Sequence, residues 1–357
     1  MKPRLSIIIT SFNRPNLLLR SIKFLVSYKL PIQLIILDSS KKKFESTEFN
    51  NLVKEFNIIV KKFDTDIFIT SKIAIGCEFI NTDYSVLYPD DDFFSPISFL
   101  KCVDFMDANP DYSSAQGLYF SHTNYEETAK NGFKIAQLYI DTESLVDEKS
   151  SDRIKKYLDK VKNSTIYAVH KTKDFKLIWE KSNHYVDAND WAFSEFLPSC
   201  LSIILGKMKI LPIFYASREP NVGATFSPPL YFEKIYKISR SLADFLNQYE
   251  NISLSDAEKL FVNYFSAIKK NMSKKPKSIE VFIKHVKVFI IKLLSKLLRL
   301  VRFDPSNVKK YSSRFNINLS DVDKIKLAVI SSQDPHNEII NSRKLYIRKY
   351  KKDKKKT

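Results

Sequence analysis

Ser85-Val86-Leu87-Tyr88-Pro89-Asp90-Asp91-Asp92-Phe93-Phe94 runs apolar, breaks into three consecutive carboxylates, and turns apolar again. Burying such a triplet unpaired would cost far more than the flanking hydrophobes return. Two readings are open: a solvated acidic turn, or a site that faces a cation. In the second, a strand carries Val86 and Tyr88 into a core and releases Asp90 and Asp92 at its carboxyl end. Two hard oxygen ligands then lie side by side, as Mg²⁺ or Mn²⁺ requires.

The stretches upstream repeat the pattern of a buried strand with a polar tip. Leu5-Ser6-Ile7-Ile8-Ile9 is short and β-branched and leads into Thr10-Ser11-Phe12-Asn13-Arg14-Pro15, after which Asn16 is placed to cap a helix. Gln33 to Leu37 reads as a second strand and ends in Asp38-Ser39-Ser40. A helix over Phe49 to Phe56, a strand over Asn57 to Val60 and a helix near Ile69 to Ile80 then lead to the acid-tipped strand. This βαβαβ alternation predicts right-handed crossovers and a mostly parallel sheet. Ligands of such sheets collect outside the carboxyl ends of the strands. Gly76 is the first glycine of the chain and Gly117 the second, so no glycine-rich phosphate loop precedes the triplet. A diphosphate here would have to be met by a metal and by Lys or Arg.

The chain of 357 residues, 44% hydrophobic and 13% aromatic, supplies one large or two modest cores. Cys77, Cys102 and Cys200 are odd in number and widely spaced, which suggests neither a disulfide framework nor a zinc site and fits a reducing cytoplasm. The apolar run of the first ten residues is too short for a signal peptide. The net charge of +18 is carried by the last quarter: residues 266 to 357 hold 25 Lys/Arg against 7 Asp/Glu, whereas residues 1 to 265 hold 33 of each. That asymmetry describes a body with a basic appendage directed at an anionic surface, lipid or nucleic acid.

Ser6 to Pro15, the strand ending in Asp38-Ser39, and Tyr88-Pro89-Asp90-Asp91-Asp92-Phe93, in this order, resemble the nucleotide-sugar domain of family 2-like glycosyltransferases of the GT-A fold. The likeness extends over roughly residues 1 to 230. It implies an α/β domain with a nucleotide-binding half, 1 to 120, and an acceptor half, 121 to 230. It also implies that Thr10, Phe12, Asn13 and Arg14 line the nucleotide, that Asp38 binds base or ribose, and that Lys72 and Asp91 lie near the donor. Asp90 and Asp92 would be the metal-binding DxD pair, with Mn²⁺ or Mg²⁺ between them and the diphosphate. Each residue has a plainer reading: Phe12 as core packing, Asp38 as a turn former, Lys72 as a solvated lysine.

Beyond the triplet, residues 96 to 109 form an amphipathic helix stopped at Asn109-Pro110, and Tyr112 to Phe120 a strand. Residues 121 to 165 are polar and end in a helix near Asp152 to Val161. Ile166 to His170 reads as a strand, with His170 a structural histidine. A helix through Ile204 stops at Gly206, and Lys207 to Phe214 is a further strand, followed by a loop from Tyr215 to Gly223. By resemblance, Glu195 is the base that deprotonates the acceptor hydroxyl; Asp190 and Asp187 are its rivals, and a carboxylate favourable to the helix dipole is the plainer reading. Arg218 would return over the diphosphate with its forked donors, or pair with a neighbouring acid.

Residues 231 to 303 read as a helical extension and 304 to 357 as a basic region ending in a lysine-rich tail. Within the extension, Ile279, Phe282, Ile283, Val286, Phe289, Ile290 and Leu293 share one face of a helix over 278 to 303, while Lys284, Lys287, Lys292 and Lys296 take the other. This helix either packs on the body or lies in the interface of an anionic membrane. The expected function is a metal-dependent, inverting transfer of sugar from a UDP- or GDP-sugar to a glycan or lipid-linked acceptor. It would serve cell-surface polysaccharide synthesis from the cytoplasmic side, peripheral to the membrane. A sugar nucleotidyltransferase is the alternative enzyme. A nucleic-acid-binding protein lacks any recognisable module here.

Overall fold

The computed structural model describes residues 2–44, 46–124, 133–137, 142–159, 164–186, 193–218 and 232–273, together with 321, 324, 325, 327 and 328. In chain order the elements are β1 (Leu5–Ser11), α1 (Pro15–Val26), β2 (Gln33–Asp38), α2 (Thr47–Glu55), β3 (Ile59–Lys62), α3 (Ile69–Gly76), β4 (Tyr84–Pro89), β5 (Phe93–Phe94) and α4 (Pro96–Ala108). There follow β6 (Tyr112–Asn124), β7 (Phe133–Gln137), α5 (Ser150–Asp159), β8 (Val169–Lys171), α6 (Thr172–Tyr185), α7 (Phe196–Leu205), β9 (Lys207–Arg218), α8 (Phe232–Tyr249) and α9 (Leu254–Ser273).

One sheet runs β3-β2-β1-β4-β8-β6-β9-β5, with β7 paired to β6. Its first four strands are parallel, and β6 and β9 are parallel to each other. The antiparallel pairings lie in the second half, where β8 joins β4 to β6. Alternation along the parallel strands divides the core. Leu5, Ile7, Ile9, Leu34, Ile36, Val86 and Tyr88 point into one cluster with α1 and α4. Ile8, Ile35, Leu37 and Leu87 point into another, with Ile73 of α3 and Phe175 and Trp179 of α6. A sheet buried on both faces reads in sequence as an unbroken apolar run, which is why these strands are plain in the chain. A third cluster joins α5, α7, α8 and α9 around Leu201, Ile204, Leu242, Phe245 and Phe261.

Several boundaries differ from the sequence expectation. Asn57 takes a left-handed φ of 49°, so the turn after α2 delays β3 to Ile59. Ile166 and Ala168 lie in a turn closed by Ala168 N–H donating to Thr165 O at 3.0 Å, which shortens β8. The helical extension read from residue 231 onward begins with two helices, α8 and α9, parted where Ser253 accepts from Asp256 N–H at 3.1 Å at the start of α9. At the front of α1 the first residue is Pro15, preorganised for a helical start, so Asn16 lies within the first turn instead of capping it. The helix over 278–303 and the lysine-rich tail lie outside the described residues.

Candidate active site

Register brings the polar tips together. Thr10 lies opposite Pro89 and Ser11 opposite Asp38, so the loops after β1, β2 and β4 leave the same edge of the sheet. Asn13 adopts a φ of 55°, which the short amide side chain tolerates, and turns the chain toward the second loop. There Asn13 N–H donates to Ser40 Oγ at 2.7 Å and Asn13 Oδ1 accepts from Lys41 N–H at 2.9 Å. Phe12 keeps only 9% of its surface exposed and packs inward at the base of this loop.

The three acids meet arginines from two sides. Arg14 Nη1 donates to Asp90 Oδ1 at 2.8 Å and to Asp91 Oδ2 at 3.1 Å. Arg218 Nε donates to Asp92 Oδ2 at 3.0 Å. Arg218 is not in a loop, as its sequence suggested, but is the last residue of β9, because the pairing with β6 continues as far as Ser121. Its guanidinium lies 5.7 Å from the Tyr119 ring centroid and 5.6 Å from that of Tyr167, an aromatic seat that favours a cation. The back of the acidic loop is held by α1: Ser21 Oγ donates to Asp90 O at 3.0 Å and Arg20 Nη2 to Asp91 O at 3.2 Å, with the Arg20 guanidinium 4.6 Å from the Phe93 ring.

Lys72 is not a solvated lysine: it is 3% exposed, and its Nζ donates to Ser11 O at 3.2 Å and Ser39 Oγ at 3.0 Å. Burial pushes it down to about 8 against the upward pull of Asp90 and Asp38. Asp38 is engaged on both oxygens, by Ser40 N–H at 2.9 Å and by Lys62 Nζ at 2.9 Å. In this arrangement it fixes the turn after β2. Asp90 is buried, which raises its carboxyl against the pull of Arg14, with Asp91 adding to the rise.

Glu195 directly precedes α7 and is exposed at its surface. Its carboxyl is nonetheless raised above 4.5: the protein around it disfavours the charge more than Arg218 supports it, and Asp91 opposes it further. The group lies within electrostatic reach of Arg218, the same arginine that holds Asp92. Asp187 and Asp190 lie outside the described residues. His170 is a neutral core histidine, buried, 2.9 Å from Ser202 Oγ and pushed down by burial to about 4.

Sequence reasoning did not find Arg20, Ser21, Tyr119 or Tyr167. The signal for the first two was present: Arg20 and Ser21 interrupt a buried stripe of Leu17, Leu18, Ile22, Phe24 and Leu25 and must meet polar partners there. Tyr119 and Tyr167 carry no such mark among many aromatic residues.

The residues present suit a divalent ion. Asp90 Oδ2 is buried and has no hydrogen-bond partner among the described residues, and both acids are hard oxygen donors. Among the described residues no group of three or more His, Cys, Asp or Glu is placed to hold a metal ion by itself. Mg²⁺-type sites need none, since one or two carboxylates, waters and substrate phosphates complete the shell.

No curated protein sequence matches this chain. Among solved structures it is similar to the crystal structure of S. aureus TarS 1-349, with 13% identity and a TM-score of 0.50 over 78% of this chain and 77% of that one. The same S. aureus TarS segment in complex with UDP-GlcNAc gives 10% identity and a TM-score of 0.52 over 74% and 72%. A longer S. aureus TarS gives 12% and 0.51, and there the match spans 46% of the TarS chain. At such identities the likeness establishes the fold. The family model described as Glycosyl transferase family 2 matches residues 6–157, from the start of β1 into α5 and across the acidic loop. Residues 6–157 are therefore a glycosyl transferase family 2 domain, and the chain that carries them is a glycosyltransferase.

Proposed function

We propose that this enzyme moves a sugar from a UDP-sugar to a hydroxyl of a glycan or lipid-linked acceptor, with inversion, in the presence of Mn²⁺ or Mg²⁺. The reading is carried by one observation: Arg14 and Arg218 converge on Asp90, Asp91 and Asp92 at the strand ends, with Glu195 beside them. Acids paired with arginines form a place where a diphosphate and its counter-ion can exchange with the guanidinium groups. UDP is the first nucleotide to test because the similar TarS structure is a complex with UDP-GlcNAc.

Asp90 and Asp92 would hold the ion, which when bound neutralises charge on the departing diphosphate. Arg14 and Arg218, released from the acids, turn their donors to phosphate oxygens. Thr10 and Asn13 would wall the nucleoside side, with Phe12 and Asp38 fixing the loops behind them, and Lys72 supports the floor through Ser11 and Ser39. Glu195 takes the proton of the acceptor hydroxyl, and its raised carboxyl makes it a stronger base than an ordinary glutamate. The basic segment 274–357 would bring the enzyme to the anionic inner face of a membrane, for cell-surface glycan assembly.

A thermal-shift titration tests this. UDP should raise the melting temperature only with Mn²⁺ or Mg²⁺ present, and the shift should vanish in Asp92→Ala. Stabilisation by UDP that is indifferent to chelator would remove the ion from the mechanism. Indifference to every nucleotide would overturn the donor.

A further inference from the structure

Asp321 is far from the described body in sequence yet 1% exposed. Tyr28 OH donates to its Oδ1 at 2.7 Å and Ser95 Oγ to its Oδ2 at 2.7 Å. Those two hydroxyls belong to different elements. Tyr28 lies two residues past the end of α1, and Ser95 precedes α4, where its Oγ also accepts from Ser98 N–H at 3.3 Å. Ser95 N–H in turn donates to Tyr215 O of β9 at 2.9 Å. Around this pair, Lys324 Nζ sits 3.6 Å from the Tyr28 ring centroid and 3.3 Å from Ser27 O, and Ile325 is fully buried in the cluster that contains Phe24 and Phe93.

The acidic loop is suspended between the two elements that Asp321 joins. On one side α1 supplies Arg14 to its carboxylates and Arg20 and Ser21 to its carbonyls. On the other, the chain runs from Asp92 through Phe93 and Phe94 to Ser95 in three residues. A buried carboxylate is costly unless its oxygens are hydrogen-bonded, so both hydroxyls are drawn to it and cannot drift apart without leaving it unpaired.

We infer that Asp321 pins a C-terminal clasp behind the acidic loop, which makes it a positioning residue for Asp90 and Asp92. The clasp stands on geometry alone; its catalytic meaning rests on the function proposed above.

The test uses the full chain. In Asp321→Ala, hydrogen exchange should quicken in the peptides covering 24–29 and 90–98 while α8 and α9 keep their protection, and affinity for UDP with Mn²⁺ should fall at least about tenfold in the folded protein. Asp321→Asn, whose amide can accept from one hydroxyl and donate to the other, should restore most of both. Exchange at 90–98 that stays at the wild-type rate in folded Asp321→Ala overturns the clasp, as does unchanged affinity with only a lower melting temperature. Should that variant not fold, Lys324→Ala is the milder probe, and it must quicken the same two peptides. If wild-type protein binds no nucleoside diphosphate, the donor reading fails while the exchange experiment still decides the clasp.

Discussion

Glu195 and Lys72 are two groups whose surroundings oppose their charge, and each yields a measurable pH dependence. A base acts deprotonated, so the acid limb of kcat should lie above the ordinary glutamate value of 4.5, in keeping with the upward shift. Glu195→Gln should lower kcat by about 10²–10⁴-fold and leave donor KM nearly unchanged. A fall confined to KM would assign Glu195 to binding. For Lys72 the sign is opposite. Folding lowers it from 10.5 to about 8, so between those values the unfolded chain binds the extra proton and stability rises with pH. Relative to Lys72→Met, the wild type should gain up to about 3 kcal/mol in urea unfolding between pH 8 and 10.5. A flat difference would mean that Lys72 is not desolvated.

At the level of elements, the parallel strands were legible because both faces of β1, β2 and β4 are buried and each ends abruptly in polar residues. What escaped was decided by partners distant in sequence. The extent of β9, and with it the seat of Arg218, depends on pairing with β6, and nothing in Tyr215 to Arg218 announces that. Gly206 was read as the stop of this helix, and it does follow the last helical residue; its backbone is extended, and its lack of a side chain serves close approach: a Cβ there would lie 2.8 Å from that of Ser113. The helix end is instead held by Arg153, whose Nε donates to Ile203 O at 2.9 Å and Nη2 to Ile204 O at 3.0 Å. Gly117 is the stricter case. A Cβ there would lie 2.7 Å from the carbonyl oxygen of Ile213 in β9, backbone that cannot rotate away. Gly117→Ala should cost about 1–3 kcal/mol in denaturant unfolding and loosen Arg218 along with the strand. An unchanged midpoint would show that β6 and β9 can part locally.

Over the whole molecule, charge and catalysis are segregated: the first 265 residues are neutral in sum and the surplus of +18 follows them. Among the described residues no helix is long and apolar enough to cross a membrane. The proposed surface attraction should appear as salt-sensitive co-sedimentation with anionic vesicles and not with neutral ones, and reversing Lys284, Lys287, Lys292 and Lys296 to Glu should abolish it. Binding that survives reversal would move the contact elsewhere. Composition shows the uneven charge, but it could not reveal that part of the basic region returns to the body.

That return has a consequence for how the enzyme matures. Tyr28 and Asp321 are separated by 293 residues, so at about 5–20 residues per second a ribosome makes the first roughly 15–60 s before the second. A nascent chain can assemble its sheet early, yet the backing of its acids arrives only once Asp321 has been made, so products cut short of it should be folded in outline and slack where the donor must be gripped.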